Sequence, residues 1–329
     1  MGRGTRAGTG IRIGVAQRVL PAALALAAVL AAGCSSTPAR RELALEWYEL
    51  GNSWFDKSDW KRAGSAYSRA IALDASLAAA SYNLARALAE AGDYAAALAA
   101  LDDLAARDPG NVRVLAAKAY AQYKSGDSKA ALATYEAILA LDPYAADAVY
   151  NAAILKAAAD KREAAAEDLS KLVAVKTEDS AAFLLLGRLQ AELGRRDEAI
   201  KAFEAARALG KADAEALERL GILYGEARRF SEAMDTLAEA TKADAKRPEA
   251  WFALARFRLT VAEDGATGLD ALRKALDAGF KDGKKASDLL AEPVVAEREA
   301  VTGLLTDKGL VGAGEEPAVP AEDEEPALQ

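Results

Sequence analysis

One spacing constrains this chain more than any other feature: the same pattern of side chains returns every 34 residues. Trp47, Leu50-Gly51 and Trp54, followed by Ala63, Tyr67, Ala70 and Asp74, come back as Leu84-Ala85 and Leu88, then Ala97, Leu101 and Asp108-Pro109. The third unit supplies Ala119, Ala131, Tyr135 and Asp142-Pro143, the fourth Ala153, Ala165 and Leu169, and the fifth Leu186-Gly187, Ala199, Phe203 and Ala206. Leu220-Gly221, Tyr224, Ala233 and Ala240 make a sixth. A seventh opens with Trp251 and Leu254-Ala255 and continues, after one inserted residue within 263–267, with Gly268, Leu272 and Ala275. Units of this length cannot bury an apolar face alone, so each must stack on the next.

Within a unit the apolar residues fall at helical spacing in two runs, as two antiparallel helices with one apolar stripe each require. Alanine dominates, and it combines high helix propensity with close backbone approach. Gly51, Ala63, Ala85, Ala97, Ala119, Ala131, Gly187, Ala199, Gly221 and Ala233 occupy the places where helices cross, and a large side chain there would wedge them apart. Gly92-Asp93, Gly126-Asp127 and Gly194-Arg195 read as turns between helices, and Asp108-Pro109 and Asp142-Pro143 as stops between units. An all-α fold is expected, with Trp47, Trp54, Tyr67, Tyr135, Phe203, Tyr224 and Trp251 assigned to its core.

These residues resemble the tetratricopeptide repeat, whose signature is an aromatic, Leu-Gly, a tyrosine, then alanine, an aromatic, alanine and proline at fixed places in 34 residues. The resemblance implies a right-handed α-solenoid of about seven helix-turn-helix units over 42–281. Asp288-Leu289-Leu290, Val294-Val295 and Leu304-Leu305 then suggest capping helices within 282–310 that cover the open end. From 311 to 329 the chain turns to glycine, proline and acid, including Glu315, Glu316, Glu322, Asp323, Glu324 and Glu325, and is expected to be a disordered tail.

The opening residues read as an address. Arg3, Arg6, Arg12 and Arg18 form a basic region, and Val19 to Ala32 an uncharged apolar stretch broken by Pro21, too short for the ~20 residues that cross a bilayer as a helix. Val29-Leu30-Ala31-Ala32-Gly33-Cys34 resembles the lipobox of bacterial lipoproteins, with Ala31 where leucine is commonest. Residues 1–33 are accordingly expected to be a signal peptide, Cys34 the lipidated N-terminus, and 34–41 a polar tether. A multiply acylated cysteine is a stable anchor where one chain is not. The alternative is an ordinary signal peptide cut near Ala32, which leaves Cys34 a free thiol. Ser35 after the cysteine, where aspartate is absent, resembles an outer-membrane sorting signal.

Reactive chemistry finds little to work with. The chain has no histidine and a single cysteine, so the usual general base, Ser-His-Asp sites and CxxC sites are all missing. No glycine-rich phosphate loop, GxSxG or spaced acid cluster is present, and no enzymatic role, cofactor, metal site or small-molecule substrate is expected. The formal net charge is −8 even with the four leader arginines counted, which argues against nucleic acid as partner.

Binding of protein is the expectation that remains, and the resemblance gives it a place. The first helix of each tetratricopeptide unit lines a concave groove, and this register puts Tyr48, Asn52, Phe55, Tyr82, Arg86, Arg113, Tyr120 and Tyr123 on it, with Asn83 beside them. Such a surface suits an extended peptide, held by stacking and by amide hydrogen bonds, although several tyrosines could simply cover the inner face. Asn52, Asn83 and Arg113 match three positions of the carboxylate clamp of co-chaperones, but Tyr48 and Ala117 stand where that clamp has basic residues. Lipid-anchored proteins of this design resemble envelope scaffolds that assist secretin assembly, outer-membrane protein insertion or cell-wall enzyme complexes. The alternative is a surface-exposed lipoprotein that contacts host or matrix molecules.

Overall fold

The computed structural model describes residues 37–312, and these are helical throughout with no strand. Cys34, the leader and residues 313–329 lie outside the described residues. The chain divides into two compact units, with the boundary between Leu141 and Asp142.

In the first unit, α1 (Pro38–Asp56), α2 (Trp60–Leu73), α3 (Ala78–Glu90), α4 (Tyr94–Arg107), α5 (Val112–Lys124) and α6 (Ser128–Leu141) form three helix pairs, each helix packing on the one before. The first helices of neighbouring pairs also touch, α1 with α3 and α3 with α5. In the second unit, α7 (Ala146–Ala158), α8 (Arg162–Val175), α9 (Ser180–Glu192), α10 (Arg196–Ala208), α11 (Ala214–Glu226), α12 (Phe230–Ala243), α13 (Pro248–Thr260) and α14 (Gly265–Asp277) form four pairs. Two short helices, α15 (Gly283–Leu290) and α16 (Arg298–Asp307), follow them. The all-α tetratricopeptide architecture is thus the one that the period demands.

The small residues sit where the spacing places them, and the reason is visible atom by atom. A Cβ on Gly51 would lie 2.5 Å from the Tyr67 ring, one on Gly187 2.8 Å from Phe203, and one on Gly221 2.6 Å from Leu237. The same slot of the first helix therefore faces a bulky side chain from the same position of the second helix, sixteen residues on, in three different repeats. At other units the slot holds alanine, as with Ala85, which shares a buried cluster with Leu101.

Turns repeat as strictly as the core. Ser58, Gly92, Gly126, Asp160, Gly194 and Arg228 stand one period apart, and every one has a left-handed φ, between 57° and 92°. Glycine adopts that conformation without cost, whereas a side chain there costs of the order of 1 kcal/mol. The next residue often caps the following helix: Asp59 accepts from the Arg62 amide at 3.1 Å, Asp93 from Ala96 at 3.2 Å and Asp127 from Ala130 at 2.9 Å. The inserted residue of the seventh repeat is absorbed at this same turn, where Glu263 takes φ 53° before Asp264 caps Thr267.

Two expectations need correction. Tyr67, Tyr135, Phe203 and Tyr224 are buried, but Trp47, Trp54 and Trp251 are only half-buried. Each indole lies at the flank of its helix pair under a cation, Arg69 over Trp47 at 4.5 Å, Arg62 over Trp54 at 4.6 Å and Lys274 over Trp251 at 4.9 Å. The indole N–H explains part of this, because it needs an acceptor; that of Trp251 donates to the Ala245 carbonyl at 3.0 Å. The stretch read as tether also contains a helix start. α1 opens at Pro38, with proline in the first turn where its missing N–H costs nothing, and Arg40 donates to the Ala72 carbonyl at 3.0 Å.

The capping helices close the second unit's core. Val301, Leu305, Leu289 and Leu290 are buried in the same cluster as Leu259 and Leu272. Arg298 donates to the Leu290 and Glu292 carbonyls at 2.5 and 2.6 Å, and Phe252 stacks on Phe280 at 4.0 Å. Val311, assigned above to the tail, packs against this cluster too.

Candidate functional site

The seam between α3 and α5 carries two adjoining hollows. The first, about 350 Å³, is bordered by Tyr48, Tyr82, Asn83, Arg107, Asp108, Asn111 and Arg113, with Leu104 and Val114 at its base. The second, about 240 Å³, lies between Tyr82, Ala85, Arg86, Ala89 and Glu90 on one side and Ala117 and Tyr120 on the other, above Leu101. Tyr82 borders both, so they read as one groove along the seam. It forms because Ala78, Ala79, Ala85, Ala89 and Ala117 leave the space between the two helices unfilled, while α4 supplies an apolar base.

Of the residues singled out from sequence, Tyr48, Tyr82, Asn83, Arg86, Arg113 and Tyr120 line this groove. Asn52 borders neither hollow. Its Oδ1 accepts a hydrogen bond from the Tyr67 hydroxyl at 2.9 Å and another from Asn83 Nδ2 at 3.0 Å, and Asn83 Nδ2 also lies 3.4 Å from the Tyr48 hydroxyl. Burial pushes the Tyr67 hydroxyl up to about 12, against an opposing bond from Asn83. This network ties the first repeat to the second through neutral groups and engages Asn52 Oδ1, while Asn52 Nδ2 lies 3.4 Å from the Glu49 carboxylate. Phe55 is covered, by Trp60 edge-on at 4.8 Å and by Arg86 at 4.6 Å. Tyr123 is half exposed but borders neither hollow.

A row of alternating rings and cations runs across the three repeats. Arg86 lies 4.6 Å from the Phe55 ring and 5.8 Å from Tyr82, and Arg113 of α5 lies 5.3 Å from the same Tyr82 of α3. Lys124 lies 5.8 Å from Tyr120, whose hydroxyl is raised above its ordinary value by burial and by the nearby Glu90 carboxylate. Sequence reading did not find Arg107, Glu90 or Leu104, and gave Leu101 only as a core slot. Arg107 is the last residue of a second helix, and only the packing of α4 against α5 brings it beside Arg113.

A larger hollow, about 750 Å³, opens in the second unit between the loops before α7 and before α9. Its border is mostly loop, including Lys176, Thr177 and Glu178, and its Asp179 already caps Ala182 at 3.0 Å. Size favours that place, but convergent rings, amides and cations favour the α3/α5 seam, and recognition depends on the latter. Among the described residues, no group of three or more candidate metal ligands gathers, and no helix is long and apolar enough to cross a membrane.

Comparison with known proteins agrees with this architecture. Two tetratricopeptide-repeat profiles match, one over residues 48–112, 82–146 and 150–214 and the other over 190–257, together more than half of the chain. The chain belongs to the tetratricopeptide-repeat family, whose members serve as interaction scaffolds for proteins and peptides and are generally not enzymes. No curated protein matches it. Similar solved structures include a tetratricopeptide repeat protein from Parabacteroides merdae, with TM-score 0.50 and 18% identity over 82% of this chain and 99% of that one. Pseudomonas aeruginosa pilF gives 0.54 and 17% over 64% and 96%, and YrrB, described as having an unusual peptide-binding site, gives 0.50 and 22% over 54% and 92%. At such identities these likenesses speak to the fold alone.

Proposed function

We propose that this protein is a scaffold of the bacterial cell envelope, anchored through a lipid on Cys34 to the outer membrane and facing the periplasm, which takes an extended segment of a partner protein in the groove between α3 and α5. The observation that carries the binding role is the meeting of Tyr82, Asn83, Arg86, Arg113 and Tyr120 along one apolar-based seam. Hydrogen-bonding amides, rings and cations above alanine gaps suit a peptide that presents both backbone and side chains. That YrrB is described as having a peptide-binding site makes the same use reasonable here. The anchor and the compartment rest on the leader, on Cys34 and on Ser35.

Photo-crosslinking tests the groove. A photoreactive amino acid in place of Tyr82 or Tyr120 should capture a partner from intact membranes, whereas the same group at the exposed Ser65 of α2 or Ala99 of α4 should not. Capture from the second pair alone sinks the groove reading. For the anchor, Cys34→Ala should move the protein from the detergent phase to the aqueous phase, and retention in detergent would place the anchor elsewhere. Protease treatment of intact cells separates a periplasmic array, which survives, from a surface-exposed one, which is cut.

A further inference from the structure

We infer that the partner segment is acidic, and that its side-chain carboxylates are gripped by Arg86, Arg107 and Arg113. This rests on the groove reading above and names the chemistry of its ligand. Arg86 and Arg113 lie over Phe55 and Tyr82, at 4.6 and 5.3 Å. A guanidinium over a ring keeps its N–H donors, which lie in its own plane, for an acceptor beyond the ring. Among the described residues, no carboxylate pairs with Arg86, Arg107 or Arg113.

That absence has weight because the molecule treats arginine otherwise elsewhere. In the second unit every arginine except Arg228 and Arg273 has an ion pair or a hydrogen bond, down to Arg247, which meets the buried Glu218 at 2.7 Å. A chain with 50 acidic residues and a net charge of −8 has carboxylates to spare, yet three cations border one seam without them. Charge complementarity then calls for an anionic ligand, and a planar fork of donors matches a carboxylate with two parallel bonds.

Geometry narrows the ligand further. Arg86 borders one hollow while Arg107 and Arg113 border the other, so they meet several carboxylates along a strand, not one chain end. Glu90 and Asp108 also border the groove, and they repel a continuous run of phosphates while leaving room for carboxylates spaced along a peptide. An acidic peptide fits this pattern and a nucleic acid does not.

The test uses the full chain and two synthetic peptides of about twelve residues, acetylated and amidated so that neither end is charged. One repeats Glu-Pro-Ala and the other Gln-Pro-Ala, proline keeping both extended. By calorimetry the Glu peptide should bind at least about tenfold more tightly than the Gln peptide at low salt, with the advantage shrinking as ionic strength rises to about 0.5 M. Arg86→Gln with Arg113→Gln should reduce the Glu peptide to the level of the Gln peptide, with the helical circular dichroism unchanged, and Arg86→Lys with Arg113→Lys should restore part of the difference. Equal binding of the two peptides overturns the acidic requirement and leaves the groove reading standing. Failure of both to bind, or tighter binding of an oligothymidylate, also overturns it. Crosslinks found only outside the groove would instead bring down the reading beneath it.

Discussion

In the second unit, Arg207 reaches Glu239 at 2.5 Å, Arg229 reaches Glu204 at 3.1 Å and Arg247 reaches Glu218 at 2.7 Å. In the first unit, Arg86 and Arg113 rest on rings and Arg107 borders a hollow, all without a carboxylate. Position along the period explains what the ion pairs of the second unit are for. Arg162–Glu192, Arg207–Glu239, Arg247–Glu218 and Arg256–Glu292 join residues roughly one repeat apart, so these ion pairs staple each helix pair to its neighbour. The first two repeats are joined by hydrogen bonds among Asn52, Asn83 and Tyr48 and by Arg86 over the Phe55 ring, contacts that use no carboxylate. Arginine thus fastens repeat to repeat in the second unit, while in the first Arg40 and Arg41 hold α1 to the end of α2 and Arg86, Arg107 and Arg113 stand without a carboxylate, as the proposed acidic ligand requires.

Breaking a fastener should have the largest effect. Arg247→Ala strands a buried glutamate, and should cost about 2 to 3 kcal/mol in denaturant unfolding, near the low end for a broken buried pair because Arg247 itself is partly exposed. Arg86→Ala should cost less than about 1 kcal/mol, the worth of an exposed cation–π contact. Equal losses from the two variants would erase the distinction between the units.

Asn52→Ala sharpens the comparison from the other side. It removes the acceptor of the buried Tyr67 hydroxyl and should cost about 1 to 2 kcal/mol. Adding Tyr67→Phe should return part of that loss, because no unsatisfied hydroxyl remains. If Asn52→Ala is neutral, the amide network is not what joins the first two repeats.

Alkaline pH should weaken both units alike. Burial raises the Tyr67 and Tyr224 hydroxyls to about 12 from an ordinary 10.0. The folded state therefore holds its protons longer than the unfolded state. The stability tied to the neutral phenols is complete below pH 10 and is lost as pH rises toward 12. Thermal melts between those limits should show the loss, and Tyr67→Phe with Tyr224→Phe should flatten it. A melt as steep as that of the native chain would assign the loss to other groups. The smallest effect belongs to the shared turn: Arg228→Gly should stabilise by about 0.5 kcal/mol, because its φ of 59° costs a side chain more than glycine. A destabilised variant would show that Arg228 is not strained there.

Most of the fold was legible from spacing, because in a repeat protein each core slot is written many times. Gly51, Gly187 and Gly221 each announce a bulky partner, and the turn at Gly92, Gly126 and Gly194 marks where Ser58, Asp160 and Arg228 must bend as well. The groove was legible only by position. Tyr82, Arg86 and Arg113 could be placed on the right face, but whether a side chain there is free or engaged depends on neighbours a whole repeat away. That is why the bond from the Tyr67 hydroxyl to Asn52 could not be read from sequence, and why Arg107, at the end of a second helix, gave no signal. The half-burial of the tryptophans has the same origin, since cations from the adjoining helix cover them.

The side-chain Nε–Hε resonances of the arginines test the contrast between the units most directly, since each reports its own guanidinium. With the full chain labelled in nitrogen-15 and the resonances assigned by single Arg→Lys variants, the acidic Glu-Pro-Ala peptide should shift Arg86 and Arg113 progressively and leave Arg207, Arg229 and Arg247 where they are. Shifts confined to Arg207, Arg229 and Arg247, with Arg86 and Arg113 unmoved, would contradict the account.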